Sequence, residues 1–233
     1  MMSLKSLLFA TPLTVDNIQN PAADYYILTL NYAGNQHFNW KPGAAGFFTL
    51  PHQKNTGSGF RFFSIAAVPD ENKIVIGTRT GATPSAYKQV LVHLHAGDHV
   101  NLRGPIGTFG VKKQSAPVVM IGSGVGVTPF RAMALELVQD TSRPIRLIQS
   151  ARDYHLFKND FDQVAATNPQ FQYLPVDSGK AAQKEIMNSI DAFDNTAFYY
   201  LSGASKIVKA NREFLQAHGI AKQRIVSDIQ IGY

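Results

Sequence analysis

Residues Pro117-Val-Val-Met-Ile-Gly-Ser-Gly-Val-Gly-Val-Thr-Pro129 decide the reading of this chain. An apolar run, Val118 to Ile121, stops at Gly122, Gly124 and Gly126, and Thr128-Pro129 opens a helical pattern from Phe130 to Val138. The spacing predicts a strand, a tight turn and a helix N-terminus. Glycines in such a turn let backbone N–H groups approach a phosphate with no side chain in the way, and the helix dipole adds positive potential there. Pro129 suits the first helical turn, where a missing N–H is not felt. A close-packed strand–helix turn needs the same glycines, so spacing alone leaves both readings open. No Walker-type loop competes: Gly179-Lys180 is followed by Ala181, and Leu174 stands where the first glycine belongs. Whatever precedes residue 115 is then a separate module that works with the nucleotide.

Working outward, the two sides of this stretch have different rhythms. Before it come short β-branched and aromatic runs: a strand from Thr11 onward, then Tyr25–Leu30, Gly46–Leu50, Phe60–Ile65, Lys73–Arg79 and His99–Leu102. Turn signals such as Lys41-Pro-Gly43, Pro69-Asp-Glu-Asn72 and Ala96-Gly-Asp98 separate them. This spacing predicts an antiparallel six-stranded barrel, closed or nearly so, with one short helix over 85–92. After it, apolar runs at 145–149, 172–175, 197–201 and 224–227 alternate with helical stretches near 129–139, 157–166, 181–190 and 205–217. That alternation predicts a parallel sheet with helices on both faces. The fold class is therefore a β barrel followed by an α/β domain, over 1–112 and 113–233, with a hinge at 111–116.

With 233 residues, 45% hydrophobic, the chain can build two cores. No apolar run approaches a membrane span and no signal-peptide pattern opens the chain, so a soluble, cytoplasmic protein is expected. The absence of cysteine excludes disulfides, thiolate-bound zinc, a cysteine-held iron–sulfur cluster and a thiol nucleophile. Net charge is +6 without a basic run, which suits phosphorylated cofactors or an acidic partner better than nucleic acid. His93, His95 and His99 lack a carboxylate or cysteine frame and read as a solvated loop, so no metal site is expected.

Four further motifs carry chemistry: Arg61-Phe-Phe-Ser64, Gly81-Ala-Thr-Pro-Ser85, Gly104-Pro-Ile-Gly-Thr-Phe109 and the end Ser227-Asp-Ile-Gln-Ile-Gly-Tyr233. With the mid-chain glycines they stand in the order of the ferredoxin–NADP⁺ reductase superfamily, which the chain resembles over nearly its whole length. The resemblance implies a six-stranded Greek-key barrel for FAD and a parallel-sheet domain for NADP(H) or NAD(H). It assigns Arg61, Phe62, Phe63 and Ser64 to the flavin: Arg61 to its phosphate, Phe63 to stacking on the ring, Ser64 to the neighbourhood of N5. Gly81, Thr83 and Ser85 would present the pyrophosphate with donors, and Thr78 and Arg79 would line the flavin or its adenosine. Gly122, Gly124, Gly126, Thr128 and Pro129 would take the pyrophosphate and nicotinamide end of the pyridine nucleotide. Ser150 and Arg152, with Lys158 near, lean toward the 2′-phosphate of NADP(H), an inclination that Asp153 tempers.

The resemblance also places Ser202, in Tyr199-Tyr-Leu-Ser-Gly203, where the family has cysteine. Asp228 stands where many relatives have glutamate, and Tyr233 where an aromatic ring covers the flavin. Ser64, Ser202, Asp228 and Tyr233 would surround hydride transfer from NAD(P)H to FAD. Electrons would pass on to an external acceptor, ferredoxin or flavodoxin, an acidic carrier protein that the positive charge attracts. Two alternatives stay open: an electron-transfer or regulatory flavoprotein subunit with little intrinsic NAD(P)H turnover, and a reductase of small molecules such as free flavin or a ferric chelate.

Overall fold

Side chains at every second position of the early strands are apolar, and that period forces a sheet with one buried face. In the structure, a computed structural model that describes residues 9–32, 39–54, 56–57, 59–107, 109–112 and 115–228, these strands curl into one antiparallel sheet. They are β1 (Thr11–Ala22), β2 (Tyr25–Tyr32), β3 (Ala45–Thr49), β4 (Phe60–Ser64), β5 (Ile74–Arg79) and β6 (His99–Ile106), ordered β4-β3-β6-β1-β2-β5. The two terminal strands of that order meet again, because the Ala66 N–H donates to the Val75 carbonyl at 2.7 Å. Leu13, Leu28, Leu30, Phe48, Ile76 and Leu102 fill the interior. A short helix, Ala86–Leu91, is capped by the Ser85 hydroxyl, which accepts from the Lys88 N–H, and it buries Tyr87 and Leu91.

Contacts divide the chain into two compact units, the first up to Gly110 and the second from Val111. The segment expected to act as a hinge is held at Lys112 within the second unit. Its N–H donates to the Tyr200 hydroxyl at 2.9 Å, and its carbonyl accepts from the buried Arg143 at 3.2 Å.

The second unit is a parallel sheet of β7 (Val118–Ser123), β8 (Ile145–Ser150), β9 (Phe171–Val176), β10 (Phe198–Ser202) and β11 (Ile225–Ser227), ordered β11-β10-β7-β8-β9. Every residue of β10 is buried, as a strand covered on both faces requires. Val119, Ile121, Tyr199 and Leu201 face the helices Gly179–Phe193 and Ser205–Ala217, with Ile186, Ile190 and Leu215 packed against them. The helices Thr128–Glu136 and Lys158–Thr167 complete the unit. The 179–193 helix outruns its expected span at both ends, and the Ser178 hydroxyl caps its N-terminus by accepting from the Ala181 N–H. The sheet ends in two rims: β9 carries Pro175, and β11 has only three residues.

Candidate functional site

The chain runs β7, β8, β9 in one direction across the sheet and then returns to place β10 on the other side of β7. The carboxyl ends of β7 and β10 therefore flank a topological switch point, where open α/β sheets bind ligands. At that point the glycine turn forms a 3₁₀ segment, Gly124–Val127, which runs directly into the helix Thr128–Glu136 with Pro129 in its first turn.

The three glycines do different things. A Cβ on Gly126 would lie 2.3 Å from the Gly203 Cα and 2.5 Å from its nitrogen, so Gly126 lets the turn dock on the end of β10. A Cβ on Gly122 would press on the Phe130 ring at 3.2 Å. Only Gly124 combines a left-handed φ of +55° with open space. Close packing thus explains Gly122 and Gly126, while Gly124 presents bare backbone outward. Thr128 is buried, and its hydroxyl donates to the Val125 carbonyl at 2.6 Å, which fixes the turn.

Ser202 and Asp228, 26 residues apart in sequence, come together here. The Ser202 hydroxyl donates to Asp228 Oδ2 at 3.2 Å, and the Asp228 N–H donates to the Leu201 carbonyl at 2.9 Å. Ser202 is buried beside Gly203 and pairs in register with Gly122 of β7. One strand over, Ser150 ends β8 opposite Ser123, and Arg152 beyond it is exposed, with no ion pair among the described residues. Lys158 pairs with Asp162 instead of standing ready beside Arg152. Tyr233 lies outside the described residues.

In the first unit, Arg61 lies over the Tyr87 ring at 5.3 Å, a cation–π contact, and donates to its neighbour's carbonyl at Phe60. Burial pushes the Tyr87 hydroxyl well above its ordinary pKa, against the lowering pull of Arg61, so it stays a neutral donor to the Phe48 carbonyl at 2.9 Å. Phe63, which the resemblance assigns to stacking on the flavin ring, is buried in the first unit. It is 9% exposed and packs on Phe48 and Tyr87, because β4 alternates and places Arg61 and Phe63 on the barrel's inner face. Phe62 is half-buried on the other face, its ring 5.0 Å from Phe47. Ser64 is half-buried at the end of β4, and Thr78 is buried within β5.

The Gly81 N–H, expected to meet a phosphate, donates to Asp24 Oδ2 at 2.9 Å. The same carboxylate pairs with Arg79 Nε at 2.7 Å. Lys88 Nζ donates to the Arg79 carbonyl at 2.6 Å. Burial, then Arg61, lower the Lys88 pKa, and Asp24 partly restores it. Thr83 is exposed and Ser85 half-buried in the intervening loop. Sequence reading named neither Asp24 nor Lys88. Asp24 sat in a turn between two strands, and nothing in a single sequence pairs it with an arginine 55 residues away. Lys88 was legible only as the residue three past the Ser85 cap.

Among the described residues no cluster of His, Cys, Asp and Glu is placed to hold a metal, and no helix is long and apolar enough to cross a membrane.

Comparison with known proteins agrees with this geometry. Residues 120–213 match the family model of the oxidoreductase NAD-binding domain. The chain is 34% identical over 122 residues to a component of the Na(+)-translocating NADH-quinone reductase of Shewanella putrefaciens, covering 48% of this chain and 40% of that protein. It spans about half or less of the length of the curated relatives it matches. Ferredoxin-NADP+ reductase from Plasmodium falciparum superposes with a TM-score of 0.82 at 15% identity, covering 98% of this chain and 99% of that one. The Amycolatopsis cytochrome P450 reductase GcoB gives a TM-score of 0.79 at 23% identity over 94% of this chain and 69% of that one. With an antiparallel six-stranded sheet in the first unit, a five-stranded parallel sheet in the second and a match to the oxidoreductase NAD-binding domain there, the chain shares the two-domain fold of the ferredoxin-NADP+ reductase from Plasmodium falciparum.

Proposed function

We propose that this protein is a flavin-dependent NAD(P)H oxidoreductase, with FAD held by the first unit and NADPH or NADH by the second. The observation that carries this reading is the switch point of the second sheet, where the outward turn at Gly124 stands at the end of β7 and the Ser202–Asp228 pair at the end of β10. The donor set of the first unit fits a flavin dinucleotide: Arg61, Arg79 and Lys88 gather in one small region as a cationic cradle. A bound flavin would supply the redox chemistry, taking a hydride from the nicotinamide and releasing its electrons singly or in pairs.

The protein's own contribution is binding and alignment. Arg61 offers a guanidinium fork for a phosphate, a geometry that lysine lacks. Ser85 and Thr83 border the same loop. Phe63, packed on Tyr87, forms a floor under Arg61 rather than a free stacking face. Gly124 admits the pyrophosphate of the pyridine nucleotide, and Thr128 with Pro129 holds the turn in shape. Ser202 and Asp228 offer a hydroxyl and a carboxylate for the nicotinamide end, and Ser64 a hydroxyl for the flavin. Tyr233 remains the candidate ring that shields the flavin. Arg152, with Ser150, favours NADPH over NADH.

The external acceptor proposed is a ferredoxin or flavodoxin, an acidic carrier whose encounter the net charge of +6 speeds. A second reading rests on one observation. The Ser202 hydroxyl is engaged by Asp228 and stands where the family has a thiol, which suits an electron-transfer or regulatory subunit with slow pyridine-nucleotide turnover.

Anaerobic mixing with NADPH and NADH in turn, followed by flavin absorbance, tests both. Bleaching by NADPH supports the reductase, a yellow protein left unbleached supports the subunit, and failure to bind FAD at all removes both. Arg152→Ala is expected to raise the KM for NADPH by about tenfold while leaving NADH unchanged, since one charge-assisted phosphate contact is lost. Equal loss with both nucleotides would reject Arg152 as the 2′-phosphate ligand.

A further inference from the structure

The cationic cradle contains one anion whose role the proposed function does not use. Asp24 sits in the turn between β1 and β2, directly after Ala23, whose φ of +40° bends the chain. Its carboxylate accepts from Arg79 Nε at 2.9 Å and 2.7 Å through its two oxygens, and from the Gly81 N–H at 2.9 Å. Its backbone carbonyl accepts from the Thr80 N–H at 2.9 Å. One residue thus holds the end of β5 and the first residues of the loop that follows. The Arg79 guanidinium also lies over the Tyr25 ring at 4.9 Å, so its plane is fixed from two sides.

A carboxylate beside a phosphate site has two opposite consequences. It can repel the incoming anion, or it can orient the cations that receive it. The geometry favours orientation. Both carboxylate oxygens point at the protein's own donors, and a guanidinium has five N–H donors, so engagement at Nε sets its direction without exhausting the fork.

We propose that Asp24 is a positioning residue for recognition of a dinucleotide flavin, bracing the Arg79 guanidinium so that the diphosphate meets a preset frame. This rests on the reading of the first unit as the FAD-binding one. Asp24→Asn keeps the shape and removes the charge. Simple electrostatics says that this makes the cradle more positive and tightens FAD. Bracing says the reverse: the FAD dissociation constant, measured on the full chain by quenching of flavin fluorescence, rises about tenfold to a hundredfold, the range for a hydrogen bond to a charged group.

A residue that acts through Arg79 falls silent once Arg79 is gone. In an Arg79→Ala background, Asp24→Asn is therefore expected to change FAD affinity less than about twofold. Unchanged or tighter FAD binding by Asp24→Asn, or the same loss in both backgrounds, overturns the proposal. Asp24→Glu, which retains the charge, provides the check if the asparagine variant does not fold, and is expected to bind FAD more tightly than Asp24→Ala. Parent protein that quenches no FAD fluorescence would overturn the flavin reading itself, whereas parent and Asp24→Asn proteins that bind alike would overturn this inference only.

Discussion

Gly126→Ala is expected to destabilise the protein by about 3 kcal/mol, at the upper end of overpacking costs, and to lower its melting temperature by on the order of 10 °C. The methyl carbon would lie 2.3 Å from the Gly203 Cα, 2.5 Å from its nitrogen and 2.7 Å from the Ser202 carbonyl carbon. All three are backbone atoms, so no rotamer change relieves the clash. Gly203 has little room to retreat, because it directly follows buried β10 and even a Cβ built on it would lie 3.1 Å from the Ser123 side chain. Gly124→Ala is the informative companion. It meets open space and carries only the strain of a left-handed alanine, about 1 kcal/mol. Calorimetry of the two variants should therefore separate them widely. Nucleotide titration should find Gly124→Ala folded but weakened in binding NADPH. Similar melting temperatures for both would contradict the packing described for Gly126.

Arg61→Ala should lose its flavin. Removing a guanidinium that pairs with a phosphate costs about tenfold to a hundredfold in affinity, and the variant also gives up the contact with the Tyr87 ring at 5.3 Å. The parent is expected to leave gel filtration yellow after reconstitution with FAD, and Arg61→Ala to leave it largely colourless. Arg61→Lys should fall between, since it keeps the charge but not the fork. An alanine variant that retains FAD as tightly as the parent would reject the assignment of this arginine.

How far the sequence alone reached depends on how local the signal was. The strands and helices of both units were legible because each carries its own period, and the glycine turn because Gly122 to Pro129 changes that period within eight residues. The family resemblance put Ser202 and Asp228 in one neighbourhood, but the hydrogen bond between them is a geometric fact that neither the resemblance nor spacing contains. What stayed hidden were directions and distant partners. Arg61-Phe-Phe-Ser64 shows two aromatic and two polar residues but not which of them turn inward, and the barrel turned Phe63 in. Gly81 looked like a phosphate donor until a carboxylate from residue 24 proved to hold its N–H. Gly126 looked like a ligand-facing glycine, yet its neighbour is another glycine 77 residues along, a contact that only the return crossover of the sheet creates.

The rims of the second sheet carry a different consequence, one for handling the molecule. A strand at a sheet boundary is a template on which a foreign chain can grow, and proline or extreme brevity spoils that template. Pro175 interrupts the donor row of β9, while β11 offers three residues. In the first unit the strand order closes on itself through the bond between Ala66 and Val75. Concentrated solutions should therefore resist fibril growth by strand addition, and exchanging Pro175 for a valine should be the change that first turns such a solution cloudy.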